Sequence, residues 1–158
     1  MAELKVGDQA PDFKLPSTID GEWDLAGVRG DKGVIVSFHR YDFTGDTTRG
    51  CYCQISTWRD SYERIQAAGG EVVEVSADSI HAHRRFAQEL GGVPFPLLAD
   101  FTKSMSASFG VLNEQDGAPL RAVFVLDKNG VVLYKNESFN ASEPAQYDEA
   151  IKALEAAK

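Results

Sequence analysis

Cys51 and Cys53 are the only cysteines in the chain. They stand one residue apart in the segment Ser37-Phe-His-Arg-Tyr-Asp-Phe-Thr-Gly-Asp-Thr-Thr-Arg-Gly-Cys-Tyr-Cys-Gln54. Around them Thr44, Thr47 and Thr48 offer hydroxyls, and Arg40 and Arg49 offer cations. The segment leaves an apolar run and enters a helical pattern, so both thiols sit at a helix entry. Unpaired N–H groups and the helix dipole favour an anion there. A thiol in that position is more often thiolate, the nucleophilic form. A cysteine by itself is ordinarily a small buried hydrophobe, but two of them beside threonines and arginines at a strand-to-helix junction point to a reactive thiol. A zinc site is the competing use. Cys-x-Cys fits the usual ligand spacing poorly, and only His39, His81 and His83 could complete the set. We therefore assign no metal and no other cofactor, and place His81 and His83 on an exposed helix face.

Several elements must position these thiols. Val34-Ile-Val-Ser-Phe38 and Val72-Val-Glu-Val-Ser76 are short β-branched runs of the kind that form buried strands. Arg121-Ala-Val-Phe-Val-Leu126, the turn Asp127-Lys-Asn-Gly130 and Val131-Val-Leu-Tyr134 predict a hairpin. Ile55, Trp58, Tyr62 and Ile65 recur at helical steps until Gly69-Gly70. Ser79 caps a second helix carrying Ile80, Phe86, Ala87 and Leu90, and Ser142-Glu-Pro144 opens a third with Tyr147, Ile151 and Leu154 inward. Strands alternating with helices predict an α/β domain of thioredoxin-like layout, a mixed central β-sheet flanked by helices.

The 158 residues suit one domain spanning 1–158. No stretch approaches the ~20 apolar residues of a membrane helix, so no membrane role is expected. The formal net charge of −8 argues against nucleic acid as a partner. With no apolar leader at Met1, two cysteines read as reduced thiols of a cytoplasmic protein rather than as a disulfide framework.

Separated pieces of the chain resemble the peroxiredoxins of the alkyl hydroperoxide reductase and thiol-specific antioxidant group. They are Val6-Gly-Asp-Gln-Ala-Pro-Asp-Phe13, Asp42-Phe-Thr44, Thr48-Arg-Gly-Cys51, Trp58-Arg-Asp60, Ser76-Ala-Asp-Ser79 with His83 and Phe86, Phe95-Pro-Leu-Leu-Ala-Asp100, Phe109-Gly-Val111 and Arg121 to Asp127. An ungapped count from Phe38 puts the peroxidatic position on Thr47. Counting back from Trp58-Arg-Asp60 puts it on Cys51, so the loop carries a four-residue insertion. The insertion lies either before Thr48, which makes Thr48 the motif threonine, or at Asp46-Thr47-Thr48-Arg49, which makes it Thr44. We take Thr48. Arg40 occupies the place where the family carries a proline.

The resemblance implies a thiol-dependent peroxidase that reduces hydrogen peroxide or organic hydroperoxides through a sulfenic acid on Cys51. It implies that the motif threonine holds the peroxide, that Arg121 stabilises the thiolate and the breaking O–O bond, and that Gln54 supports them. An external thiol or a thioredoxin-like protein would be the reductant, and a homodimer is compatible with the family. Cys53 either resolves the oxidised Cys51 or packs inward. Two other functions are weighed beside this one: a thiol–disulfide oxidoreductase using the Cys51/Cys53 pair, and a non-catalytic thioredoxin-fold module whose rebuilt loop binds a partner.

Overall fold

A computed structural model describes residues 3–28, 30–46 and 48–157. Thr47 lies outside the described residues. The β-branched run at Gly33–Phe38 (β3) pairs in parallel with Gly70–Ser76 (β4), and β4 pairs in parallel with Leu97–Ala99 (β5). On the other side of β3 the hairpin of Ala122–Leu126 (β8) and Val132–Asn136 (β9) continues the sheet antiparallel. Lys14–Ser17 (β1) and Gly21–Asp24 (β2) add an antiparallel pair beyond β5. The result is a seven-stranded mixed sheet of order β2-β1-β5-β4-β3-β8-β9. Leu112–Asn113 (β6) and Ala118–Pro119 (β7) form a small separate hairpin.

Successive side chains of a strand point to opposite faces, and that alternation divides the core. Val34, Val36, Phe38, Val73, Val75, Ala122, Phe124 and Leu126 line one face, covered by the N-terminal segment, by Met105 of Ser104–Ser108 (α4) and by Phe109. Ile35, Val72, Val123 and Val125 line the other, beneath Gly50–Asp60 (α1), Tyr62–Ala67 (α2), Ile80–Glu89 (α3) and Pro144–Ala156 (α5). Ser37, Glu74 and Arg121 fall on this second face by the same alternation. They are the polar residues that α1 meets.

The spacing of Ile55, Trp58, Tyr62 and Ile65 predicts one helix, and the structure divides it at Ser61. There the amide is shared between the carbonyls of Thr57 and Trp58, both 3.1 Å away, and the tightened turn separates α1 from α2. Trp58 anchors α1. It is fully buried, stacks 6.0 Å from Phe139 and meets Tyr147 edge-on at 4.7 Å. Its indole N–H donates to Ser37 Oγ at 2.9 Å. Removing such a ring costs about 3–5 kcal/mol, so α1 is fixed firmly over β3. Ser79 caps α3 as expected, accepting from the Ala82 amide. The prediction for His83 is corrected. His81 is exposed, but His83 is fully buried, because it shares the inward face of α3 with Phe86.

Candidate active site

Cys51 is the second residue of α1, and its side chain is fully buried against the sheet. Arg121, immediately before β8, reaches across so that Nη1 lies 3.4 Å from the Cys51 sulfur. The same nitrogen donates to Gln54 Oε1 at 2.6 Å. Gln54 sits one turn after Cys51 on α1. Its amide nitrogen faces Ser37 Oγ at 2.6 Å, the Phe38 carbonyl at 3.1 Å and Glu74 Oε2 at 3.1 Å, which leaves its oxygen for Arg121. Cys51, Gln54 and Arg121 are thus brought together.

A second cation acts on the thiol. His39 follows directly on β3 and is fully buried. Its Nδ1 lies 2.7 Å from Glu74 Oε2 and its Nε2 lies 2.7 Å from Asp42 Oδ1. Ionised carboxylates only accept, so both ring nitrogens carry protons and the ring is an imidazolium. Burial works against this charge; the Cys51 thiolate, Asp42 and Glu74 outweigh it and hold His39 well above its ordinary range. Asp42 in turn bonds His83 Nδ1 through Oδ2 at 2.6 Å, and His83 Nε2 meets the Leu98 carbonyl at 2.8 Å. Burial opposes the Asp42 charge, but hydrogen bonds to His39 and His83 bring its carboxyl down to about 2. For Cys51 itself, burial pushes the thiol up. The charges of His39 and then Arg121, with hydrogen bonding from Thr44 and the Tyr41 backbone, bring it below the ordinary thiol value. Sequence reasoning missed His39 and Glu74 as parts of the site. The available signal was a glutamate inside the apolar run Val72-Val-Glu-Val-Ser76, since a buried charge requires a partner.

The choice between the two threonines is corrected. Thr44, not Thr48, lies against the thiol. The Thr44 hydroxyl, which donates to one acceptor at a time, also lies within 2.9 Å of the Tyr41 carbonyl. Thr48 is exposed, and its hydroxyl donates to Asp46 Oδ1 at 2.6 Å. The reason is local. Asp46 and Arg49 pair as a bridge, with the Asp46 amide 2.9 Å from the Arg49 carbonyl. Gly45 and Gly50, at φ +83° and +76°, close the neck of this small hairpin. A Cβ on Gly45 would lie 2.1 Å from the Arg49 carbonyl oxygen, so neither the approach nor the left-handed backbone admits a larger residue. Asp46, Thr48 and Arg49 are looped out, and the Tyr52 amide bonds the Thr44 carbonyl at 3.0 Å across the neck. Arg49 stays on the hairpin, 3.9 Å from Asp46 and largely exposed. Arg40 points the other way. It donates to the Pro119 carbonyl at 3.1 Å and pairs with Asp116, while the Tyr41 hydroxyl donates to the Asp116 carbonyl. These contacts tie the loop to the β6–β7 hairpin at the position where a proline would stiffen it.

Cys53 is not brought to Cys51. On a helix, i and i+2 point about 200° apart. Cys53 Sγ donates to the Ala141 carbonyl at 3.2 Å and lies 3.8 Å from Thr57 Oγ1, beside Thr48, Ser142 and Tyr147 at the start of α5. Both cysteines are free thiols.

His39, Asp42, Asp78 and His83 bring four donor atoms within 4.8 Å of one another. Donors around a tetrahedral ion with ~2.0–2.1 Å bonds lie roughly 3.3 Å apart. Asp42 instead bonds the two rings at 2.7 and 2.6 Å, and Asp78 Oδ2 accepts from the Asp42 amide at 3.0 Å. The four belong to a hydrogen-bonded network that extends to Glu74, Ser76 and the Leu98 carbonyl, with spacings shorter than those of ligands around one ion.

The AhpC/TSA family matches residues 6–135. The 2-Cys peroxiredoxin BAS1 of Hordeum vulgare is 34% identical over 160 residues, covering 96% of this chain and 74% of that protein. Peroxiredoxin Q of Sedum lineare is 36% identical over 159 residues, covering 99% and 81%. Among solved structures, peroxidoxin BcpB from Mycobacterium tuberculosis superposes with a TM-score of 0.87 at 28% identity, covering 99% of each chain.

Proposed function

The chain belongs to the AhpC/TSA family of peroxiredoxins and is a thiol-dependent peroxidase, an oxidoreductase; we propose that Cys51 is the thiol that peroxides oxidise. The observation that carries this is the buried Cys51 sulfur at the start of α1, 3.4 Å from the Arg121 guanidinium. The thiolate attacks the terminal oxygen of a hydroperoxide. An S–O bond forms, the O–O bond breaks, and sulfur is oxidised by two electrons to the sulfenic acid. The leaving hydroxide or alkoxide takes a proton and departs as water or alcohol. Arg121 faces both the thiolate and the charge that develops on the leaving oxygen, where a permanently charged fork of donors is most effective. Thr44 is the hydroxyl placed to hold the peroxide, and Gln54 aims Arg121.

An external thiol then attacks the sulfenic sulfur, releasing water and leaving a mixed disulfide that a second thiol reduces. A thioredoxin-like protein is the proposed donor, and a homodimer the proposed assembly. Cys53 takes part only if the first turn of α1 unwinds, and its packing against Ala141 supports a structural role. A reducing compartment such as the cytoplasm is part of this proposal, supported by two free thiols. The disulfide-exchange and binding-module alternatives draw no support from this geometry.

The test is product identity. The reduced protein is treated with one equivalent of peroxide and a sulfenic acid trap, then mapped by peptide mass spectrometry. We expect the trapped adduct on Cys51. Oxidation confined to Cys53, or no adduct and no disulfide on either thiol, would contradict the assignment.

A further inference from the structure

We propose that Glu74 is a positioning residue for the peroxidase reaction, holding the His39 ring between itself and Asp42 as a second cation of the site and the Gln54 amide in the orientation that receives Arg121. The inference rests on the peroxidase role of Cys51 argued above. Glu74 lies inside β4 on the face that α1 covers, and its side chain is fully buried. One oxygen, Oε2, takes both of its hydrogen bonds, from His39 Nδ1 at 2.7 Å and from Gln54 Nε2 at 3.1 Å. The other, Oε1, has no hydrogen-bond partner among the described residues.

A buried carboxylate oxygen left unpaired is costly. For packing alone, a neutral amide would fill the same volume at lower cost. What only the carboxylate supplies is charge, and the group it charges is His39. That ring has a second carboxylate, Asp42, on Nε2, but Asp42 also serves His83. Glu74 is therefore the acceptor that His39 shares with no other ring. The same oxygen settles Gln54. With Glu74, Ser37 and the Phe38 carbonyl around its nitrogen, the amide cannot turn without setting N–H against the Arg121 guanidinium. From one atom Glu74 thus reaches His39 directly and Arg121 through Gln54, the two cations whose charges favour the Cys51 thiolate. Its own negative charge acts on Cys51 less than the cation it maintains, since His39 and Arg121 are the leading charges on the thiol.

The experiment uses the full chain as wild type, Glu74→Gln, Glu74→Asp, His39→Gln and the Glu74→Gln/His39→Gln double variant. Each is checked for folding by circular dichroism. Alkylation of Cys51 is followed against pH by peptide mass spectrometry, which reads the thiolate without peroxide. At about pH 6 we expect Glu74→Gln and His39→Gln each to slow alkylation roughly tenfold. Glu74→Asp should recover part of the loss, and the double variant should be no more than about threefold slower than His39→Gln. Equal or faster alkylation in folded Glu74→Gln overturns the proposal, as does full additivity in the double variant. If Glu74→Gln does not fold, Glu74→Asp is compared with His39→Gln: slowing in both folded variants supports the carboxylate's role, and a wild-type profile in folded Glu74→Asp overturns it. Peroxide consumption by the same proteins separates the two levels. A wild type that consumes none overturns the peroxidase role of Cys51 and, with it, Glu74's part in that reaction. Alkylation unchanged by Glu74→Gln in a wild type that does consume peroxide overturns Glu74 alone.

Discussion

Removing residues 46–49 and joining Gly45 directly to Gly50 should leave the active site intact. The geometry permits the splice. A Cβ on Gly50 falls 2.7 Å from the Gly45 Cα. With a Cα–Cβ bond of about 1.5 Å, the two Cα atoms are at most about 4.2 Å apart, against ~3.8 Å for neighbours in a chain. A shift of a few tenths of an ångström therefore closes the backbone. The bond from the Tyr52 amide to the Thr44 carbonyl becomes an i to i+4 contact and can persist as part of the first helical turn. Thr44 then stands three residues before the cysteine, the separation expected of the motif threonine. The main loss is the hydrogen bond from Ser142 Oγ to the Thr48 carbonyl, 2.7 Å long and worth about 1 kcal/mol. The shorter loop offsets a fraction of that through its smaller closure entropy. We expect stability in urea to change by no more than about 1 kcal/mol, and the rates of Cys51 alkylation and peroxide consumption to stay within roughly threefold of wild type. A folded deletion variant whose thiol reacts more than about tenfold more slowly would refute this, and would make the hairpin part of the site.

Other substitutions separate the parts of the site. Arg121→Gln removes the cation 3.4 Å from the sulfur; stopped-flow peroxide consumption at neutral pH should fall about a hundredfold, with partial recovery in Arg121→Lys. Thr44→Val should lower the peroxide rate about tenfold while Thr48→Val leaves it within twofold, because only Thr44 meets the thiol. The Asp42 carboxyl, brought from 3.8 to about 2 in the folded protein, should contribute about 2 kcal/mol that is present above pH 4 and lost as pH falls toward 2. Urea denaturation across that range should show the loss in wild type and a flatter profile in Asp42→Asn.

The legible parts of the sequence were those governed by local periodicity. β3, β4 and the β8–β9 hairpin announce themselves as β-branched runs with an Asn-Gly turn, α3 by its Ser79 cap and apolar spacing, and α5 by Pro144 in its first turn and apolar spacing, although Ser142 does not cap it. Cys51 and Gln54 could be named because the resemblance fixed their register from the Trp58 side, and Arg121 because it opens the matching strand segment Arg121 to Asp127. The short strands β5, β6 and β7 carry too few residues for a period and are fixed by their neighbours. The choice of Thr48 over Thr44 failed because spacing along the chain does not reveal a hairpin that returns to its own neck. That closure depends on two glycines with positive φ and on the pairing of Asp46 with Arg49. His83 was misplaced although it stands three residues from both Ile80 and Phe86, a spacing that puts it on the inward side of α3; its polar type was weighed above its position. His39 and Glu74 meet across adjacent strands, 35 residues apart in sequence, and only the strand register brings them together.

The most direct test of the central claim is stopped-flow consumption of hydrogen peroxide and an organic hydroperoxide by the pre-reduced protein, with wild type, Cys51→Ser and Cys53→Ser run in parallel. We expect wild type and Cys53→Ser to remove one peroxide per chain rapidly and Cys51→Ser to remove none. If all three react no faster than a free thiol, or if only Cys53→Ser loses the activity, Cys51 is not the peroxidatic residue.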